Sequence, residues 1–128
     1  MRVILGIAAG LVAGLLIGRS FAQSPALDPP AVAPHIFETE FENDRVRVLR
    51  VHERFGETQP LHSLRDRVVV HVNSCAWVDE REDGSEEMYS YRPGDFYWLP
   101  AVTRGGETSK VIQTCHMLMI EVKKTSAF

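Results

Sequence analysis

From His35 to the C-terminus the chain alternates short apolar and polar positions between turn residues, and no apolar stripe at helical spacing persists beyond two turns. The pattern predicts an all-β domain that needs no helix. A first strand spans 36–41, Asn43-Asp44 makes a turn, and a long second strand spans 45–55. Its apolar positions are even at Val46 and Val48 but odd at Leu49 and Val51, a change of phase that a bulge near Val48-Leu49 would produce. Gly56 to Pro60 is a turn. The strand opening at Val68 keeps its apolar residues on even positions to Val72, with His71 and Asn73 facing the other way. Strands over 77–82 and 86–91 flank Asp83-Gly84, a strong hairpin signal. Arg92-Pro93-Gly94-Asp95 forms a further tight turn, and Pro100 stops a short aromatic strand over 96–99. The last strand runs over 111–123 with His116, Leu118, Ile120 and Val122 on one face. Eight or nine short strands at this spacing indicate a sandwich or a small barrel.

The first 34 residues read differently. Arg2 precedes an apolar run of 16 residues, Val3 to Gly18, and Ser20-Phe21-Ala22 offers the small residues of a cleavage site, so residues 1–22 are expected to be a signal peptide. The competing reading is an uncleaved anchor, but 16 residues fall short of the ~20 needed to span a bilayer. Export to the periplasm or beyond the cell follows, with no stable membrane insertion after cleavage. Residues 23–34 hold four prolines in twelve positions and read as an extended tether, which leaves 35–128 as the domain.

Composition narrows the function classes. At 128 residues, 45% hydrophobic and 24% charged, the chain fits one compact domain. Without Arg2 and Arg19 it carries 12 basic against 17 acidic residues, a net charge of −5, which argues against nucleic acid as a partner. In an oxidising compartment Cys75 and Cys115 form either a disulfide closing a loop of about 40 residues, the favoured reading, or two separate buried thiols. No Cys-x-x-Cys pair supports redox catalysis.

The stretch from Gly56 to Val72 and that from Gly94 to Thr108 resemble the two signature motifs of the cupin superfamily, and NDRVRVLRV before them and MIEVKK after them fit small single-domain cupins. The resemblance covers about Phe37 to Lys124 and implies a jelly-roll β-barrel. It also implies a divalent metal held by two histidines and a glutamate of the first motif and one histidine of the second. In GETQPLHSLRDRVVV, His62 takes the first ligand position, but Leu64 takes the second and Val68 or Val69 the glutamate position. In GDFYWLPAVTRGGET the histidine position falls on Gly105 or Arg104. Three of four ligands are thus replaced, and no cofactor is favoured.

Two readings remain. In the first, the barrel is a binding or structural module for a small organic anion. Arg67 and Arg104 in or beside the motifs, with His62 and Tyr97, would hold the ligand, because guanidinium groups grip carboxylates and phosphates in bidentate fashion. Arg50 and Arg65 are weaker candidates, and all four arginines could instead pair on the surface with Glu53, Glu57 or Asp66. The aromatic residues Tyr89, Tyr91, Phe96, Tyr97 and Trp98 line a pocket or simply pack the sheets. In the second reading, His62 is joined by His52 and His116 as substitute ligands for zinc, iron, manganese or nickel in an oxygenase- or isomerase-type enzyme. A metal-free route through a His62–Tyr97 acid–base pair is a third possibility. The resemblance further implies a homodimer formed through edge strands. Fold alone does not choose among these activities.

Overall fold

The computed structural model describes residues 25–105 and 109–124. Ten strands follow in order: β1 (Phe37–Glu42), β2 (Val46–Glu53), β3 (His62–Leu64), β4 (Arg67–His71), β5 (Cys75–Glu80), β6 (Glu86–Tyr91), β7 (Phe96–Leu99), β8 (Val102–Arg104), β9 (Ser109–Gln113) and β10 (Cys115–Val122). All pair antiparallel, in a five-stranded sheet ordered β1-β2-β10-β4-β7, a three-stranded sheet β6-β5-β9 and a ribbon β3-β8. The core between these layers is made by Phe37, Leu49, Val51, Leu64, Val69, Val111, Met117 and Met119, with the two cysteines. Removing any one of the fully buried aliphatic side chains from water contributes about 1.5–3 kcal/mol. The predicted all-β architecture is the observed one, with ten strands where eight or nine were expected.

The turns form where the sequence placed them. The Asn43 side chain accepts from the backbone N–H of Arg45 and of Val46, both at 2.8 Å. Asp83 accepts from Ser85 N at 2.8 Å, and Asp95 from Arg92 N at 2.8 Å. Gly84 and Gly94 supply the positive φ, 83° and 87°, that these tight turns need.

Three expectations about faces and ends are corrected. Strand β2 alternates without a phase change: Arg47, Leu49, Val51 and Glu53 point inward. The irregularity near Val48-Leu49 exists, but the extra residue lies on β1 between Thr39 and Phe41. The apparent phase switch arose because both ends of the inward row are charged. Strand β4 likewise buries Arg67, Val69 and His71 and turns Val68 and Val70 outward, the reverse of the valine-based reading. The final strand is two: β9 pairs with β5, and β10 pairs with β2 and β4. The chain crosses between layers at Thr114, where the Asn73 side chain donates to Thr114 O and accepts from His116 N, each at 2.9 Å, so the break leaves these polar groups satisfied.

The described part of the proline-rich segment is no tether. Pro25–Leu27 makes a 3-10 turn and α1 (Pro29–Val32) a short helix, with Pro29 buried and Ala33 fully buried in the core cluster. Asp28 fixes it, accepting from both terminal nitrogens of Arg47 at 3.1 and 2.8 Å. The region expected to be a signal peptide lies outside the described residues. Among the described residues no helix is long and apolar enough to cross a membrane.

Candidate functional site: the barrel cavity

The inward faces of β2, β10, β4 and β7 build the cavity floor in register. At one end Arg47, Glu121, Arg67 and Leu99 form a row across the four strands, and the next row is Leu49, Met119, Val69 and Tyr97. A cavity of about 40 Å³, the scale of one or two water molecules, lies above these rows. Leu64, Val69, Leu99, Met117 and Met119 supply its apolar wall, and Trp77 and Tyr97 its aromatic one. Its polar groups are Glu53, Gln59, Arg67, Arg104 and Ser109.

Arg67 dominates the electrostatics. It is 1% exposed, and its Nη1 donates to the carbonyls of Pro100 and Arg65 at 3.0 and 3.2 Å, while Nε has no hydrogen-bond partner. Burial, reinforced by the neighbouring Arg104 charge, pulls its pKa down to about 10, so it remains a cation at neutral pH. Glu53 lines the same cavity, 6% exposed and hydrogen-bonded by the Gln59 amide. Burial pushes its carboxyl up to about 7, against the pull of Arg104. Arg104, on β8, is half-buried and lies 3.9 Å from Asp79. Near pH 7 the cavity therefore holds two guanidinium groups and a carboxyl that is only partly ionised.

An aromatic cluster backs the cavity. The His71 ring, 1% exposed, stacks on Tyr91 with centroids 4.1 Å apart and planes 5° apart. Trp77 and Tyr97 pack around it, and Tyr89 stacks on Trp77. Burial, then the Tyr91 contact, raises the Tyr97 phenol well above its usual range. Phe96 and Trp98 point away from this cluster to the outer face, 74% and 55% exposed.

Of the four residues read from sequence as ligand-binding, the structure brings Arg67, Arg104 and Tyr97 to one cavity. His62 is not among the lining residues; it is fully buried against Phe37, its Nδ1 2.7 Å from Pro60 O and its Nε2 without a partner. Tyr97 meets His71, not His62, at 3.0 Å. The substitute metal set does not assemble. His52 and His116 pair across β2 and β10 on the outer face with ring centroids 4.2 Å apart, while His62 lies on the separate β3 ribbon. Sequence reasoning missed Glu53, Trp77, Gln59 and Ser109. Glu53 alone had a usable signal, its odd-position spacing from Leu49 and Val51.

The metal that the cupin resemblance implies fails a test of fit on these residues. The second ligand position holds Leu64 and the glutamate position Val68 or Val69; Leu64 and Val69 line the cavity as hydrocarbon, and Val68 lies on the opposite face of β4. At Gly105 (φ 148°) a Cβ would lie 2.3 Å from Pro60 O and 2.5 Å from Leu61 Cα, so no side chain of any ligand could start there. Among the described residues no group of three His, Cys, Asp or Glu side chains is placed to hold a metal ion.

Two antiparallel layers closed around a cavity define the class: a jelly-roll barrel of the cupin type. Among solved structures, a cupin domain from Bordetella pertussis Tohama I matches with a TM-score of 0.57 and 20% identity over 70% of this chain and 93% of that one. A cupin superfamily protein from Desulfitobacterium hafniense DCB-2 matches with a TM-score of 0.50 and 16% identity over 70% of this chain and 77% of that one. No protein-family model matches the sequence, and no curated protein does. At these identities the likeness establishes the fold.

Proposed function

We propose that the chain is a binding module whose barrel cavity takes the anionic head of a small organic acid. The observation that carries this reading is Arg67, a buried guanidinium with an unpartnered Nε at a cavity it shares with Arg104. A buried donor left unpaired costs about 1–3 kcal/mol, which a carboxylate or phosphate oxygen would recover. The apolar and aromatic wall favours an organic rather than a purely inorganic anion. Export fits the Cys75–Cys115 disulfide, which persists in oxidising compartments.

The test is a thermal-shift screen of the full chain with small mono- and dicarboxylates and organic phosphates, followed by calorimetry. The expected result is stabilisation by at least one organic anion, abolished in Arg67→Met and in Arg104→Gln. No anion-dependent shift, or an equal shift in both variants, would overturn the reading.

A further inference from the structure

His52 of β2 and His116 of β10 stand directly opposite one another in the ladder. Their neighbours Glu53 and Met117 face the cavity, so both imidazoles emerge on the other side of the sheet. The ring centroids are 4.2 Å apart with planes 32° apart, and both residues are half-buried. Beyond this mutual contact neither ring makes a hydrogen bond or an ion pair to a described residue. The backbones beneath them are pinned: His52 N donates to Ile36 O, Val72 N to His116 O, and His116 N to the Asn73 side chain, each at 2.9 Å.

We propose that His52 and His116 form a surface site for a late first-row divalent metal ion, with Cu2+ the preferred occupant, outside the barrel cavity and independent of it. Three properties choose that occupant. The first is the donor type. Imidazole nitrogen suits copper, nickel and zinc, whereas magnesium and calcium take oxygen ligands, and copper binds most tightly of the divalent series. The second is pre-organisation. Adjacent strands hold directly opposed Cβ atoms about 4.5–5.5 Å apart, and the pinned ladder leaves only side-chain torsions to adjust. Rotation about χ2, which is soft in histidine, brings one nitrogen of each ring to a common ion. The third is protonation. Burial, then the charges of His116 and Arg54, lowers the His52 pKa against the pull of Glu57, so near neutral pH this ring is in the form that ligates metal. Glu57 itself is engaged, accepting from the Arg54 N–H and from His35 Nε2, each at 2.9 Å. Two protein ligands leave the remaining coordination positions to water or to a donor from another molecule. Such an open, half-exposed site is built to capture and exchange its ion, unlike the closed four-ligand sites that hold metal for structure.

The proposal is tested by titrating the full chain, stripped of metal, with Cu2+ in a non-coordinating buffer, read by calorimetry and electron paramagnetic resonance. The expected result is a single Cu2+ per chain with the nitrogen hyperfine pattern of imidazole ligation. Affinity should fall in His52→Gln and in His116→Gln by more than the roughly tenfold that loss of a supporting contact costs a metal site. His35→Gln should bind as the unmodified chain does. Proton NMR of the unmodified chain supplies a measurement independent of any variant: Cu2+ well below one equivalent should broaden the His52 and His116 imidazole signals ahead of those of His35, His62 and His71. No Cu2+ binding, binding that survives both ligand substitutions, or broadening that begins at His35 would each overturn the proposal.

Discussion

The Nε2 of His71 lies 3.0 Å from the Tyr97 hydroxyl, while its Nδ1 faces Cys75 Sγ at 3.4 Å. One buried imidazole thus joins the aromatic wall of the cavity to the disulfide that links the two layers. A neutral imidazole has one donor and one acceptor nitrogen, which suits this position, whereas protonation would require a charge in a nearly sealed aromatic stack.

Burial lowers the His71 pKa from its usual 6.5, so the unfolded chain takes up a proton before the folded one does. The stability this contributes is complete above about pH 6.5 and is lost as pH falls toward the folded pKa. His71→Phe, which keeps an aromatic ring in the stack, should lose less stability between about pH 7.5 and about pH 5 than the unmodified protein in urea denaturation. The slope should shrink without vanishing, because burial also lowers His52 and His62.

Glu53 works in the opposite sense. Its folded pKa is raised from 4.5 to about 7, so its contribution is fully present below about pH 4.5 and is lost as pH rises through about 7. Ionised Glu53 also competes with an anion for Arg104. Affinity for a strong organic acid should therefore increase as pH drops from about 8 to about 6, by up to roughly tenfold, and Glu53→Gln should flatten that profile at its tighter end. Calorimetric titration at several pH values reads both effects.

Arg47 donates to Glu121 at 2.8 Å, and Glu121 is fully buried. Arg47→Ala strands that carboxylate and should destabilise the fold by about 3–5 kcal/mol. Replacing both residues, as Arg47→Met/Glu121→Met, removes the stranded charge as well as the pair. It should cost much less than the single change, by chemical denaturation.

The disulfide ties β5 to β10 across a sequence separation of 40. Its removal in Cys75→Ser/Cys115→Ser should cost about 3–4 kcal/mol in the chain-entropy picture, read as a lower denaturation midpoint. In the unmodified protein a reductant should reproduce that loss slowly, since both sulfurs belong to fully buried residues.

Much of the fold was legible because turns announce themselves locally. Asn43, Asp83, Gly84, Gly94 and Asp95 form the turns that their chemistry predicts. The faces were not legible. Arg47, Glu53, Arg67 and His71 occupy inward positions through partners contributed by distant strands, which no local window contains. Two cavity arginines were found because a family resemblance marked their neighbourhood. Glu53 was lost for the same reason that β2 seemed to change phase: a charge at the end of an inward row looks like surface. Pro29 and Ala33 were misread because their packing depends on Asp28 reaching Arg47, a contact 19 residues away.

The alternation in β10 bears on how the barrel finds its register. Its outward set, His116, Leu118, Ile120 and Val122, is at least as hydrophobic as its inward set, Cys115, Met117, Met119 and Glu121. A slip of one residue against β2 would exchange the sets, and water exclusion alone would not oppose it. What distinguishes the two alignments is chemistry that works in only one of them: Glu121 reaches Arg47, and Cys115 reaches Cys75. The ion pair and the disulfide thus act as paired keys at opposite ends of one strand, selecting an alignment that greasiness leaves undecided.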